Sequence, residues 1–125
     1  MANAGRDGAS WRRKFGRAIH GMAVGIRSES SFAVHFFAAA VVLVAGGMLR
    51  MCVAEWAVLL LSITIVMTAE LFNSALERMA RAVSKEHNPH LADALDTSSG
   101  AVLAAAVGAA VVGTLVFLNR LWEVL

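Results

Sequence analysis

From Trp11 onward, Trp11, Phe15, Ile19, Met22 and Ile26 recur at spacings of three or four and fall within about 80° of helical arc, while Arg12, Arg13, Lys14, Arg17, His20 and Arg27 fill the remainder. The pattern predicts a basic amphipathic helix over 10–27 that lies on a membrane surface, its cations held at anionic lipid. Arg13 and Arg17 are the two cations best placed to reach a phosphate as well. Ahead of this helix, residues 1–9 are small and polar and read as a mobile lead-in. Ser28-Glu29-Ser30-Ser31 interrupts the period and offers capping side chains to the next element. Phe32 to Leu49 then holds no acidic residue, Lys or Arg, a length that crosses a bilayer, so a first transmembrane helix is predicted over 31–50. Gly46-Gly47 near its end permits close approach by a neighbour or a kink. Arg50 to Glu55 leaves room only for a tight turn, and the second span, over 55–82, must return antiparallel, with Trp56 as an interfacial anchor.

The apolar run from Trp56 to Ala69 meets a carboxylate at Glu70, yet the helix should continue, because Leu71 to Val83 contains neither Gly nor Pro. Pro89 reads as a loop residue. Beyond it Asp93, Asp96, Thr97 and Ser98 offer caps for a third transmembrane helix over 97–120, whose Gly100, Ala104 and Gly108, and Ala105, Ala109 and Gly113, form faces suited to tight packing.

Composition agrees with this reading. The chain has 125 residues, 58% of them hydrophobic and 16% charged, with a mean hydropathy of +0.67, which is too apolar for an ordinary soluble domain. A single all-α integral membrane domain over 1–125 is expected, and because no apolar core of a signal peptide occurs in the first thirty residues, the N-terminus should belong to the mature protein. Cys52 is the single cysteine and forms no internal disulfide. Nine of the eleven Lys and Arg residues lie in the N-terminal segment or between the second and third spans. The positive-inside rule therefore puts the N-terminus and the Glu77 end of the second span in the cytoplasm. Three spans enclose little by themselves, so a homo-oligomer is expected.

Glu70, Asn73 and Glu77 are the residues this pattern leaves unexplained. On a helix Glu70 and Glu77 lie within about 20° of each other and Asn73 about 60° to one side. Ionisable groups in a span are costly and face protein, water or an ion. Carboxylates there suit two tasks: they ligate Mg²⁺ as hard oxygen donors, and one of them accepts a proton from an attacking hydroxyl. Glu29, at the same membrane level, is a further metal ligand candidate or a helix-start cap. No Walker loop, dinucleotide fingerprint or nucleophile elbow occurs. His87 and His90 flank a loop proline without a helical metal-binding frame and read as solvated, and His35 reads as a polar contact between helices.

The stretch Glu70-Leu71-Phe72-Asn73-Ser74-Ala75-Leu76-Glu77 resembles the signature of the prokaryotic integral-membrane diacylglycerol kinase and undecaprenol kinase family. The similarity runs over roughly 11–118 through Glu29, Val34-His35, Glu55-Trp56 and Asp96, and Val34-His35, Glu55-Trp56 and Pro89 look more like the undecaprenol kinase branch. The resemblance implies a homotrimer in the bacterial inner (plasma) membrane, with composite sites that transfer the γ-phosphoryl group of MgATP to a lipid hydroxyl. By the same resemblance Glu70 would be the general base, Glu29 and Glu77 would hold Mg²⁺, and Asn73, Glu77, Asp96 and Arg17 would contact the nucleotide. The partners expected are the lipid, the nucleotide and further copies of the chain, with no nucleic acid.

Three positions depart from the family pattern. Leu95 stands where a Lys usually precedes the aspartate, Arg81 where an Asp usually follows Glu77, and His87-Asn88 where a Tyr-His pair usually follows Glu86. A cation lost at a triphosphate costs several kcal/mol of transition-state stabilisation unless replaced, and Arg81, Lys85 or the start of the third span are the available replacements. Two other readings make different forecasts: a non-catalytic oligomeric module descended from the family assembles without phosphate transfer, and a small transporter or channel gives ion flux in vesicles.

Overall fold

In a computed structural model of the protein, the structure describes residues 4–28, 30–83 and 85–125. These form α1 (Ala4–Ser28), α2 (Ser30–Met48), α3 (Val53–Val83) and α4 (Pro89–Val124), with no strand among the described residues. Helices α2, α3 and α4 are each long and apolar enough to cross a membrane. Helix α1 already begins at Ala4, within the stretch expected to be a mobile lead-in.

Helix α3 is the element the others pack against, most extensively α4, and also α2 and α1. Its buried residues Leu59, Val66, Glu70 and Ser74 recur at helical spacing and make one inward stripe. Phe32 of α2 is buried with them, at 1% exposure. Large apolar side chains such as Phe37, Leu61, Leu103 and Leu115 point outward, as lipid or another protein surface requires. Near the far end of α1, a Cβ added at Gly25 would lie 2.8 Å from Leu71 Cδ2, so the missing side chain lets α1 approach α3 closely.

The turn between α2 and α3 closes in a defined way. Met51 N–H donates to Gly46 O at 3.2 Å and Arg50 N–H to Gly47 O at 3.3 Å, the paired bonds of a Schellman motif, with Arg50 in the left-handed region at φ 53°. Cys52 starts α3: its carbonyl accepts from Trp56 N–H at 2.9 Å and its N–H donates to Glu55 Oε1 at 3.0 Å, the return arm of a capping box. The Trp56 ring lies against Gly46, where a Cβ would sit 2.9 Å from Cη2. Gly46 is thus a site of close approach between α2 and α3. From α4, Arg120 reaches back over this turn and donates through Nε to Leu49 O at 2.9 Å and through Nη2 to Arg50 O at 2.5 Å.

At the opposite end the third span departs from its expected start. Asn88, with φ −127° and ψ 120°, caps α4 through Oδ1, which accepts from His90 N–H at 2.9 Å and Leu91 N–H at 3.4 Å, and Pro89 occupies the first turn. A proline there needs no N–H partner and is set for helix by its fixed φ. Asp93, Asp96, Thr97 and Ser98 therefore lie inside α4 and do not cap it.

Candidate active site

Two hydrogen-bonded groups flank the C-terminal half of α3. The first joins α2 to α3. Ser31 and His35, one turn apart on α2, face Glu70: Ser31 Oγ donates to Glu70 Oε2 at 3.1 Å, and His35 Nε2 lies 2.9 Å from Glu70 Oε1. Because a carboxylate only accepts, Nε2 carries the proton in this contact. Glu70 is 4% exposed. Burial of a carboxylate without partners would cost several kcal/mol, and these two donors offset that cost. Two carboxylate oxygens offer about four acceptor positions, so positions remain on Glu70 for a further proton. Ser74, one turn further along the same stripe, is buried, and its Oγ has no hydrogen-bond partner among the described residues.

The second group joins α3 to α4. Ser98 Oγ donates to Asn73 Oδ1 at 2.7 Å, which orients the Asn73 amide so that Nδ2 donates to Glu77 Oε1 at 3.2 Å. Glu77 Oε2 is 3.8 Å from Arg81. Glu77 keeps about a third of its side chain exposed and lines an open cleft of 380 Å³ with Arg81, Glu86, His87, Leu91 and Leu95. Arg81 and Leu95 thus face one cleft from its two walls. Where the resemblance implies a cation on the α4 wall, the cation here is on the α3 wall. Two apolar grooves adjoin the polar groups, one of 240 Å³ that includes His35, Val66 and Ala109, and one of 720 Å³ that includes Phe72, Asn73 and Ser98.

Along the axis, Glu70 lies about 26 Å and Glu77 about 36 Å from Val53. Of the expected site residues, the structure gathers Glu70, Asn73 and Glu77 on adjoining faces of α3. Asp96 is exposed on α4 and takes part in neither group, and Arg17 is exposed on α1. Glu29 lies outside the described residues. The sequence offers Ser31 and Ser98 as caps and His35 as a polar contact between helices; the structure makes all three partners of the carboxylate and amide set. Among the described residues no three His, Cys, Asp or Glu side chains converge as a ready metal cage. Mg²⁺ does not demand one, since it is commonly held by one or two carboxylates, waters and substrate phosphates, and the partly exposed Glu77 at the cleft is a donor of that kind.

A buried, hydrogen-bonded carboxylate beside apolar grooves, with a second carboxylate at a polar cleft, defines a small helical membrane protein equipped for chemistry at one end of its spans. Residues 16–117 match the family model of prokaryotic diacylglycerol kinase, and the chain belongs to that family of membrane-bound lipid kinases. The match includes Arg17, Glu29, Glu70, Asn73, Glu77 and Asp96. The chain is 32% identical over 109 residues to the undecaprenol kinase of Bacillus subtilis, covering 87% of this chain and 89% of the relative. It is 34% identical over 100 residues to a diacylglycerol kinase of a Synechocystis species, covering 79% of this chain and 57% of that protein.

Proposed function

We propose that this chain transfers the γ-phosphoryl group of MgATP to the hydroxyl of a membrane lipid, undecaprenol or diacylglycerol, at the cytoplasmic face of a bacterial plasma membrane. The observation that carries this reading is Glu70, a carboxylate 4% exposed yet held by Ser31 and His35. In the step, Glu70 accepts the proton of the lipid hydroxyl as its oxygen bonds to the γ-phosphorus. The bond from that phosphorus to the bridging oxygen breaks, and ADP leaves. Phosphoryl transfer asks for placement and charge neutralisation more than for covalent help.

Glu77, steered by Asn73 and Ser98, faces the nucleotide and with Glu29 would hold Mg²⁺. Bound there, Mg²⁺ supplies neutralisation of phosphate oxygen charge. Arg81 takes over the cationic role vacated at Leu95, and Asp96 and Arg17 contact nucleotide across a protomer boundary in a homotrimer. That boundary accounts for their absence from both hydrogen-bonded groups within one chain. The exposed Trp11, Phe15, Ile19 and Met22 of α1 rest on the membrane surface. A hydrocarbon layer of about 30 Å starting near Val53 would end between Glu70 and Glu77, which brings a lipid hydroxyl and a soluble nucleotide to adjoining depths. The near full-length likeness to an undecaprenol kinase favours the polyprenyl alcohol as acceptor. Leu95, which puts an apolar side chain on the α4 wall of the cleft, favours a second reading, a non-catalytic oligomeric membrane module descended from this kinase family.

The test is transfer of labelled γ-phosphate from MgATP by purified protein in lipid-detergent micelles to undecaprenol and to diacylglycerol, with and without a chelator. Chelator-sensitive labelling of either lipid supports the kinase. An assembled protein that labels neither lipid, with ATP or GTP, supports the non-catalytic module.

A further inference from the structure

We propose that His35, together with Ser31 one turn before it, is the positioning residue for the Glu70 carboxylate. This rests on the reading of Glu70 as the proton acceptor. Glu70 is a flexible side chain on α3, and nothing on α3 itself is seen to hold its head group. Both of its oxygens are instead tied from α2, Oε1 to His35 Nε2 at 2.9 Å and Oε2 to Ser31 Oγ at 3.1 Å. Two donors on two different oxygens fix the plane of the carboxylate as well as its distance from α2, which a single donor would leave free to rotate. The remaining acceptor positions then point in a set direction.

His35 suits this task for a second reason. Its side chain is 20% exposed while that of the Glu70 it holds is 5% exposed, so the imidazole is the more accessible member of the pair. It also lines the apolar groove formed by α2, α3 and α4, with Ala38, Val66 and Ala109 among its neighbours there. A lipid tail in that groove would bring its hydroxyl beside the imidazole that holds the carboxylate. His35 thereby sets both the direction of the base and the boundary between the groove and the polar site.

The experiment compares wild type, His35→Leu, His35→Gln, Ser31→Ala and Glu70→Gln, each in lipid-detergent micelles and checked for monodispersity and helix content. For each, kcat and the KM values for lipid and MgATP are measured. A glutamine amide nitrogen occupies much the same place as Nε2 and keeps the donor. His35→Leu should lower kcat by roughly 10- to 100-fold with the KM for MgATP unchanged, His35→Gln should restore kcat to within about threefold of wild type, and Ser31→Ala should fall between them. A folded His35→Leu protein with wild-type kcat, while Glu70→Gln is inactive, overturns the positioning role and leaves the base in place. Equal loss in His35→Leu and His35→Gln overturns it too. Wild-type turnover in Glu70→Gln overturns the reading of the base itself. Should His35→Leu fail to fold, His35→Gln against Ser31→Ala decides: retention in the first with loss in the second supports positioning by hydrogen bonds, and the reverse contradicts it.

Discussion

Asn73→Asp is the substitution that probes the proposed nucleotide side of the site most selectively. The aspartate keeps the shape of the side chain and still accepts from Ser98 Oγ, which donates to Asn73 Oδ1 at 2.7 Å. What it loses is the donor that meets Glu77 Oε1 at 3.2 Å, and it puts an oxygen in that place. A hydrogen bond to a charged group contributes about 1.5 to 3 kcal/mol. Two unit charges at this separation repel by about 5 kcal/mol at an effective dielectric near 20, which is an upper bound. Glu77 is about a third exposed and has Arg81 3.8 Å away, so solvent and rotation toward the cleft relieve most of the repulsion. A net effect of about 2 to 3 kcal/mol follows, or roughly 30- to 150-fold in kcat/KM for MgATP. The assay is labelled-phosphate transfer at saturating lipid over a range of MgATP, with the KM for lipid measured alongside. The KM for lipid should change little, because Glu70 and its α2 partners are untouched. A kcat/KM for MgATP within about twofold of wild type would refute the coupling of Asn73 to Glu77 and with it the placement of the nucleotide beside Glu77.

Two stability predictions concern the far end of the bundle. Gly46→Ala puts a Cβ 2.9 Å from Cη2 of the rigid Trp56 ring and should lower stability by about 1 to 3 kcal/mol, read as an earlier unfolding midpoint in micelles; an unchanged midpoint would mean that α2 and α3 are not held at this distance. Arg120→Ala removes the donors to Leu49 O and Arg50 O from a side chain 23% exposed, and should cost about 2 to 3 kcal/mol while phosphate transfer at low temperature is retained. Loss of activity without loss of stability would contradict that separation.

The parts of this site that were legible in the sequence lie within one helix. Glu70, Asn73 and Glu77 declare neighbouring directions by spacing alone, since helical geometry fixes their relative angles, but not that Glu70 meets α2 while Asn73 and Glu77 turn to α4. The membrane-length runs and the tight turn before Trp56 were legible for a similar reason: they depend on local composition. Register between helices is not local. Ser31 and His35 stand one turn apart, which marks a common face, but nothing in the sequence says that this face meets Glu70. Ser98 likewise acquires its partner, Asn73, only when α3 and α4 are set side by side. The start of α4 is open to two readings in the sequence. Asn88-Pro89 is a cap followed by a first-turn proline, yet the same pair also reads as a loop, and the polar Asp93 to Ser98 stretch drew the expected start of the helix inward. Arg120, near the end of the third span, shows its purpose only through the carbonyls of Leu49 and Arg50, some seventy residues earlier in the chain.

The most direct test of the central claim is the single-turnover rate of phosphoryl transfer from MgATP to undecaprenol in the wild type and in Glu70→Gln. Glutamine retains the size of the side chain and an oxygen able to accept from Ser31 or His35, so binding and assembly should survive. The expected result is a rate lowered by at least about 100-fold with both substrates still bound. A rate within about threefold of wild type would show that the proton of the lipid hydroxyl goes elsewhere, and Glu70 would then be a structural residue of the bundle.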